Sequence, residues 1–157
     1  MKPSTKWVAV TGIVLAAGLC AGVARADDAA ILDSRQATMK AQGKDMTAIK
    51  AYIDDKADLA SAQTAGADLP TQIGKIPDLF PKGTGMAEFP GKSYAKPAIW
   101  AEWDKFTAQA KTAADKAAAL NAALKGGDKA AITAAFGDMG KNGCAACHEP
   151  YREKKPS

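Results

Sequence analysis

The chain has 157 residues, a length that suits one domain with a single hydrophobic core. Its 21 basic and 17 acidic residues give a formal net charge of +4. The first 26 residues hold three basic residues and no acidic one, so the remainder has 18 basic residues against 17 acidic ones and a net charge near +1. So small an excess gives no electrostatic reason to expect nucleic-acid binding.

Residues 1–26 have the pattern of a secretory signal peptide. Lys2 and Lys6 supply the positive start, residues 7–23 are apolar and uncharged, and an Ala-Arg-Ala cleavage signal ends the segment. A membrane anchor needs about 20 strongly apolar residues, and this stretch is shorter and rich in alanine and glycine. We therefore predict a cleaved leader, a mature domain over residues 27–157, export from the cytoplasm, and no stable membrane insertion after cleavage.

The first mature helix is predicted from about Ala29 to about Ile53. Its inner face has an unusual composition for a helical bundle. The residues at alternating three- and four-residue steps are Leu32, Arg35, Met39, Gln42, Met46, Ile49 and Ile53. Two thioethers, an arginine and a glutamine make a poor hydrophobic core. They make a better wall for a large flat ligand.

A second helix is predicted over about residues 56–76, with a kink or break near Pro70, because a proline inside a helix loses one hydrogen bond and clashes with the preceding turn. Residues 77–96 are rich in proline and glycine and are expected to form a long irregular connection.

Two further helices follow, the first from Pro97 to a stop at Gly126 and Gly127, the second from an N-cap at Asp128. The predicted inner faces are Ile99, Trp103, Phe106, Ala110, Ala113, Ala117, Leu120 and Leu124 in the first, and Ile132, Phe136, Met139 and Gly143 in the second. Four helices with one long crossover predict an all-α, antiparallel four-helix bundle.

The last helix runs into Cys144-Ala145-Ala146-Cys147-His148, a C-x-x-C-H run of the kind that attaches a c-type haem. Residues i and i+3 of a helix share one face, so both thiols could add to the vinyl groups of one porphyrin edge. The adjacent histidine could then ligate the iron. The prediction is one covalent haem c, anchored by Cys144 and Cys147 and ligated by His148.

Other uses of paired cysteines are less well supported. A thioredoxin-like pair belongs near a βαβ pattern, and the chain has almost no strand-like alternation. Structural zinc wants four ligands, and after the leader Cys144, Cys147 and His148 are the only cysteines and the only histidine. A disulfide here would close a very small, strained loop, and a chance match is the remaining alternative.

The second axial position of the iron cannot be another histidine, because the chain has only one. Methionine, lysine, water or no ligand remain. Met39 and Met46 lie on the unusual face of the first helix, and Met86 in the long connection stays open. Met139 precedes His148 by nine residues on the same helix and cannot easily reach the opposite side of the ring. Arg35, one turn before Met39, suits a haem propionate.

Three segments together resemble the class II cytochromes c, the family of cytochrome c′ and its low-spin relatives. They are the C-A-A-C-H-E-P-Y-R run from Cys144, the R-Q-x-x-M-K segment from Arg35, and the P-A-I-W segment from Pro97. The resemblance spans essentially the whole mature chain. It implies a periplasmic four-helix bundle with haem on the last helix and, in many members, a homodimer packed through the first two helices.

The resemblance also implies residue roles. Cys144 and Cys147 match the thioether anchors, His148 the proximal ligand, Arg35 the arginine near a propionate and Gln36 its neighbour. Met39 falls where low-spin members place their sixth ligand, and Arg152 matches the arginine beside the proximal imidazole. The expectation is a one-electron carrier with His148 and Met39 as axial ligands, serving redox partner proteins, and not an enzyme. The alternative is a five-coordinate protein that binds nitric oxide or carbon monoxide.

Overall fold

A computed structural model describes residues 19–154, with side chains from residue 27 onward, and within that part the protein is helical. The α-helices are α1 (Leu19–Ile53), α2 (Leu59–Ala67), α3 (Leu69–Gly74), α4 (Ala98–Ala101), α5 (Trp103–Gly126), α6 (Lys129–Asp138) and α7 (Ala146–Tyr151). A 3₁₀ helix follows α3 at Ile76–Leu79, and a π-helix joins α6 to α7 at Met139–Ala145.

The helices assemble into the predicted four-helix bundle. The four long units are α1, the α2–α3 pair, α5, and the run from α6 through the π-helix to α7, with α5 packed against all of the others except α1. At one end the core is closed by fully buried side chains, namely Ile49, Ala62, Leu120, Leu124 and Ile132. The bundle architecture is confirmed by its similarity to solved four-helix structures, described below.

Helix α1 is described from Leu19, before the expected start near Ala29, and it ends at Ile53 as predicted. The intervening stretch is rich in alanine and has no proline, so nothing local stops the helix there. The predicted leader, residues 1–26, lies outside the residues whose side chains are described, and it stays a prediction.

The second unit breaks where the sequence predicts. Helix α2 ends at Ala67, α3 starts at Leu69, and Pro70 occupies the first turn of α3, where a missing N–H costs little. The N-cap of α2 is Asp58, whose carboxylate accepts a hydrogen bond from the Ser61 backbone N–H at 2.8 Å.

One predicted helix is split. The sequence predicts continuity from Pro97 to Gly126, but the backbone at Glu102 leaves helical geometry and separates α4 from α5. Ile99 and Phe106 are both buried, whereas Trp103, expected on the same inner face, is 38% exposed. The break changes the register, so a residue four positions after Ile99 no longer faces inward.

The predicted ends of the later helices are confirmed. Gly127 closes α5 with a left-handed φ of 76°, which glycine adopts without a steric penalty. Asp128 caps α6 by accepting hydrogen bonds from the backbone N–H groups of Ala130 and Ala131.

The connection over residues 80–97 is irregular, as predicted, and it is tied to the end of α7. An isolated antiparallel bridge joins Ala95 to Arg152. The backbone N–H of Lys96 donates to the Tyr151 carbonyl at 3.0 Å, and that of Glu153 donates to the Tyr94 carbonyl at 2.8 Å. The connection is therefore held against the segment that carries the C-x-x-C-H run. Among the helices described, none is long and apolar enough to cross a membrane.

Candidate functional site

A cavity of about 610 Å³ opens between α1, the long connection, α5 and the last helical run. Its size falls within the ~300–1,000 Å³ typical of small-molecule and cofactor sites. Cys144, Cys147 and His148 line one side, and Leu32, Arg35, Met39 and Gln42 line the α1 side. The structure thus brings together all of the site residues predicted from the sequence.

The cysteine-bearing wall follows directly from the helical run. Gly143 and Cys144 belong to the π-helix, a form that is frequent at functional sites, and Cys147 and His148 belong to α7. Both cysteines are partly buried, and no disulfide joins them.

Burial sets the chemistry of these side chains. It raises the pKa of both thiols, that of Cys147 to about 11 with a further contribution from Cys144. Such thiols stay protonated at neutral pH, unlike the low-pKa thiolate of a redox-active pair. Burial, with a smaller contribution from Arg152, lowers the pKa of His148. The imidazole is therefore neutral, the form that ligates metals.

The unusual face of α1 divides into two parts. Its first four members, Leu32, Arg35, Met39 and Gln42, line the cavity. Ile49 is fully buried in the closed end, and Met46 and Ile53 pack against that core. The predicted ligand wall is therefore the first half of the face, and the second half is ordinary core.

Arg35 is buried and fixes the long connection to α1. Its guanidinium donates to the Leu79 carbonyl at 2.8 Å, to the Thr84 carbonyl at 3.0 Å and to the Thr84 hydroxyl at 2.5 Å. The guanidinium carbon lies 4.0 Å from the centre of the Phe80 ring. Burial lowers the pKa of Arg35 to about 10, which leaves it charged at neutral pH. None of the ion pairs among the described residues includes it.

Gln36 holds the same connection at a second point. Its side-chain amide donates to the Lys92 carbonyl at 2.9 Å, in an exposed position at the cavity rim. Arg35 and Gln36 therefore both use their polar atoms on the connection, at opposite ends of residues 79–92.

The methionines are separated by the fold. Met39 lines the cavity from α1 and Met139 lines it from the helical run that carries the cysteines. Met86 lies in a different recess, beside Trp100 and Pro97. The structure therefore leaves Met39 as the methionine on the wall across from the cysteine-bearing side.

Sequence analysis placed Phe106 on an inner helix face, but it did not predict the other aromatic residues of the cavity. The Phe106 ring makes edge-on contacts with the rings of Phe80, at 5.0 Å, and Tyr151, at 5.3 Å, and all three line the cavity. Phe89, Tyr94 and Ala95 of the connection line it too. An irregular segment has no periodicity, so only the aromatic residues themselves could have indicated this role.

The residues present fit a covalent haem. Two thiols and an imidazole share one wall, aromatic and aliphatic side chains form much of the others, and Arg35, Gln36 and Gln42 add polar groups on the α1 side. The side-chain nitrogen of Gln42 is buried at the same cavity without a hydrogen-bond partner among the described residues. A four-helix bundle with such a site close to its C-terminus defines the class of protein: a c-type cytochrome.

Comparison with known proteins assigns the chain to one family within this class. The family model described as cytochrome c′ matches residues 30–152, and the chain belongs to this family of class II cytochromes c, which bind one covalently attached haem c. Cytochrome c-556 of Agrobacterium fabrum is 33% identical over 148 residues, covering 93% of this chain and 95% of that protein. Cytochrome c′ of Rhodospirillum rubrum is 36% identical, covering 81% and 84%.

Solved structures agree. Cytochrome c′ of Rhodobacter sphaeroides superposes with a TM-score of 0.72 at 27% identity, covering 81% of this chain and 98% of that one. A nitric oxide complex of a cytochrome c′ variant from Alcaligenes xylosoxidans has a TM-score of 0.70 at 26% identity, covering 81% and 97%. The predictions of family, fold and cofactor are confirmed, whereas ligation by Met39 is not.

Proposed function

We propose that the protein is an exported, periplasmic cytochrome c′ that binds nitric oxide or carbon monoxide at its haem, on the side that faces α1. Cys144 and Cys147 would hold the haem through thioether bonds, and His148 would ligate the iron from the α7 side. The haem supplies a redox-active iron with affinity for small diatomic ligands. Met39 is then a bulky wall residue across from His148 and not an iron ligand.

One observation carries this proposal: His148, the single histidine of the chain, shares a cavity with the α1 wall, so no second imidazole is available to ligate the iron there. The nitrogen-bearing side chains of Arg35 and Gln36 are bound to the long connection. Leu32 and Met39 supply apolar surface on that wall, and such a surface suits an uncharged gas. Nitric oxide complexes of related cytochromes c′ support the same function.

Arg35 and Gln36 would act by fixing the connection over the haem edge. The charge of Arg35 meets no carboxylate among the described residues, and a nearby haem propionate would balance it. The proposed function needs no acid–base residue and no catalytic step, so we do not expect enzymatic activity.

A second candidate function is one-electron transfer between redox partner proteins with Met39 as the sixth ligand. The position of Met39 favours it, since that thioether lines the cavity from α1 whereas Met46 and Met86 do not line it. A thioether ligand raises the reduction potential of a haem.

Optical and EPR spectra of the purified holoprotein distinguish the two functions. The gas-binding protein should have high-spin ferrous iron, bind carbon monoxide without displacing a ligand, and keep its resting spectrum in Met39→Ala. The matched control is Met46→Ala, since Met46 packs against the core away from the cavity. A sulfur-to-iron band near the red end of the ferric spectrum that disappears only in Met39→Ala would establish the electron carrier instead.

We also propose a homodimer. One similar cytochrome c′, at 25% identity and a TM-score of 0.73, is described as having a ligand-controlled dimer dissociation. Sedimentation of the holoprotein with and without carbon monoxide tests both the dimer and its response to ligand. A monomer at all concentrations would contradict the proposal.

A further inference from the structure

The cavity wall holds a buried amide that the proposed function does not yet use. Gln42 lines the cavity from α1, and its side-chain nitrogen Nε2 is buried without a hydrogen-bond partner among the residues that the structure describes. A buried donor left unpaired costs about 1–3 kcal/mol, so native proteins almost always satisfy such groups. The position of Gln42 at the cavity makes a molecule held there the natural acceptor.

Helix geometry places this amide beside the proposed gas site. Gln42 follows Met39 by three residues and Arg35 by seven, so the three side chains share one face of α1. The polar atoms of Arg35 are taken up by the connection. Gln42 is therefore a buried hydrogen-bond donor on this part of the α1 face, whereas Lys40, which also lines the cavity, is exposed.

A competing explanation comes from α3. The side-chain oxygen of Gln72 is also buried without a partner in the described part of the chain, and α3 packs against α1. A donor and an acceptor on neighbouring helices could serve each other after a small side-chain rotation. Gln72 does not line the cavity, however. The two explanations therefore predict different effects on a ligand in the cavity.

We propose that the Gln42 side-chain amide donates a hydrogen bond to the outer atom of a diatomic ligand held between the haem and α1. This inference rests on the proposed gas binding and adds a residue that selects among gases. A donor at this position favours ligands whose outer atom gains negative charge on binding, such as nitric oxide, over less polarised ones. Met39 contributes apolar bulk, and Gln42 contributes polarity.

The test compares the carbon monoxide complexes of wild-type, Gln42→Leu and Gln72→Leu holoproteins by vibrational spectroscopy and ligand release. A hydrogen bond to the carbon monoxide oxygen draws electrons into the ligand and lowers the C–O stretching frequency. Gln42→Leu should raise that frequency and speed carbon monoxide release by about two- to tenfold, the net worth of one hydrogen bond. Gln72→Leu should leave both unchanged.

A different set of results would contradict the proposed role of Gln42. If the two glutamines serve each other, each single substitution lowers the unfolding midpoint of the holoprotein by a similar amount, the double variant shows coupling, and the C–O frequency does not move in any of them. That outcome would overturn the proposed role of Gln42.

Failure of the proposed function can be told apart from failure of this inference. If wild-type iron is six-coordinate through Met39, its resting spectrum reveals it before any gas is added. The same comparison is then made in a Met39→Ala background, where the α1 side of the haem is open. A frequency shift caused by Gln42→Leu in that background supports the Gln42 contact, and its absence refutes it.

Discussion

At the scale of single residues, polar groups around α1 are held by neighbours on other elements, and their charges depend on burial. Arg35 is bound by carbonyl and hydroxyl groups of the connection. Asp45, further along α1, differs because its surroundings disfavour its charge. Its pKa is raised, first because burial disfavours the carboxylate and second because Asp68, between α2 and α3, repels it.

Asp45→Asn should therefore stabilise the protein at neutral pH. The unfolded chain releases this proton near pH 3.8, and the folded protein does so at higher pH. The charge on Asp45 therefore lowers the free energy of unfolding once the pH rises through the raised pKa. It has no effect at low pH, where this carboxyl is protonated in both the folded and the unfolded state. We expect a gain of at most about 0.5 kcal/mol at pH 7, because solvent screens the charge. The gain should disappear toward pH 3, as urea unfolding would show.

Asp68→Asn is the matched control for that substitution. It removes the same charge repulsion, so it should produce part of the stability gain expected for Asp45→Asn. The double variant should gain less stability than the sum of the two single variants. A gain for Asp45→Asn that persists unchanged at pH 3 would contradict the electrostatic explanation.

At the scale of elements, the π-helix is the local feature that shapes the cysteine-bearing wall. It begins at the buried Met139, ends at Ala145, and contains Gly140 and Gly143. A Cβ added at Gly143 would lie 2.8 Å from the Met139 sulfur and 3.7 Å from the Ala113 Cα atom on α5. The absence of a side chain at Gly143 therefore leaves room for the buried Met139 thioether beside Cys144.

Gly143→Ala should destabilise the protein by about 1–3 kcal/mol, since Met139 must move within a packed wall. Gly137→Ala is the matched control, because Gly137 lies in the adjoining α6, is exposed, and has open space where a Cβ would be. That substitution should stabilise the helix by about 0.5–1 kcal/mol. Thermal unfolding of both variants measures the difference. Equal effects would show that close packing at Gly143 is unimportant.

Helix positions could be predicted from the sequence wherever a local signal was strong. The proline at position 70, the glycine at 127 and the aspartate at 128 each acted as expected. The break at Glu102 could not be predicted, because the apolar spacing continues through it and only the backbone changes. Trp103 was therefore wrongly assigned to the inner face.

Only part of the site, too, could be predicted from the sequence. The C-x-x-C-H run and the α1 face could be assigned from residue types and spacing, and the structure brings them to one cavity. The acceptors of Arg35, in contrast, are oxygens of Leu79, at the end of the 3₁₀ helix, and of Thr84 in the irregular connection, both more than 40 residues away. Such contacts depend on tertiary folding and leave no periodic trace in the sequence. Ligation by Met39 depends on iron chemistry and stays a hypothesis.

At the scale of the whole molecule, the bundle has a packed end and a cavity end. Ile49, Leu120 and Leu124 are fully buried at the packed end, whereas Leu32 and Phe106 border the cavity of about 610 Å³. Helix α1 extends through both ends, as does α5. A bound haem would thus add contacts at the cavity end, where Phe106 also packs against Phe80 and Tyr151, whereas the packed end relies on protein side chains alone.

The double variant Cys144→Ser/Cys147→Ser, which cannot attach haem covalently, should therefore lose protection at one end only. Backbone amides near Leu32 and Phe106 should exchange hydrogen much faster than in the holoprotein, because an unfilled cavity removes packing contacts. Amides near Ile49 and Leu124 should keep most of their protection. Hydrogen exchange read by mass spectrometry resolves these segments.

Leu120→Ala in the holoprotein provides the opposite control, since removing that buried side chain costs about 2–5 kcal/mol and should weaken the packed end. Uniform loss of protection in the cysteine variant would mean that the two ends fold as one unit.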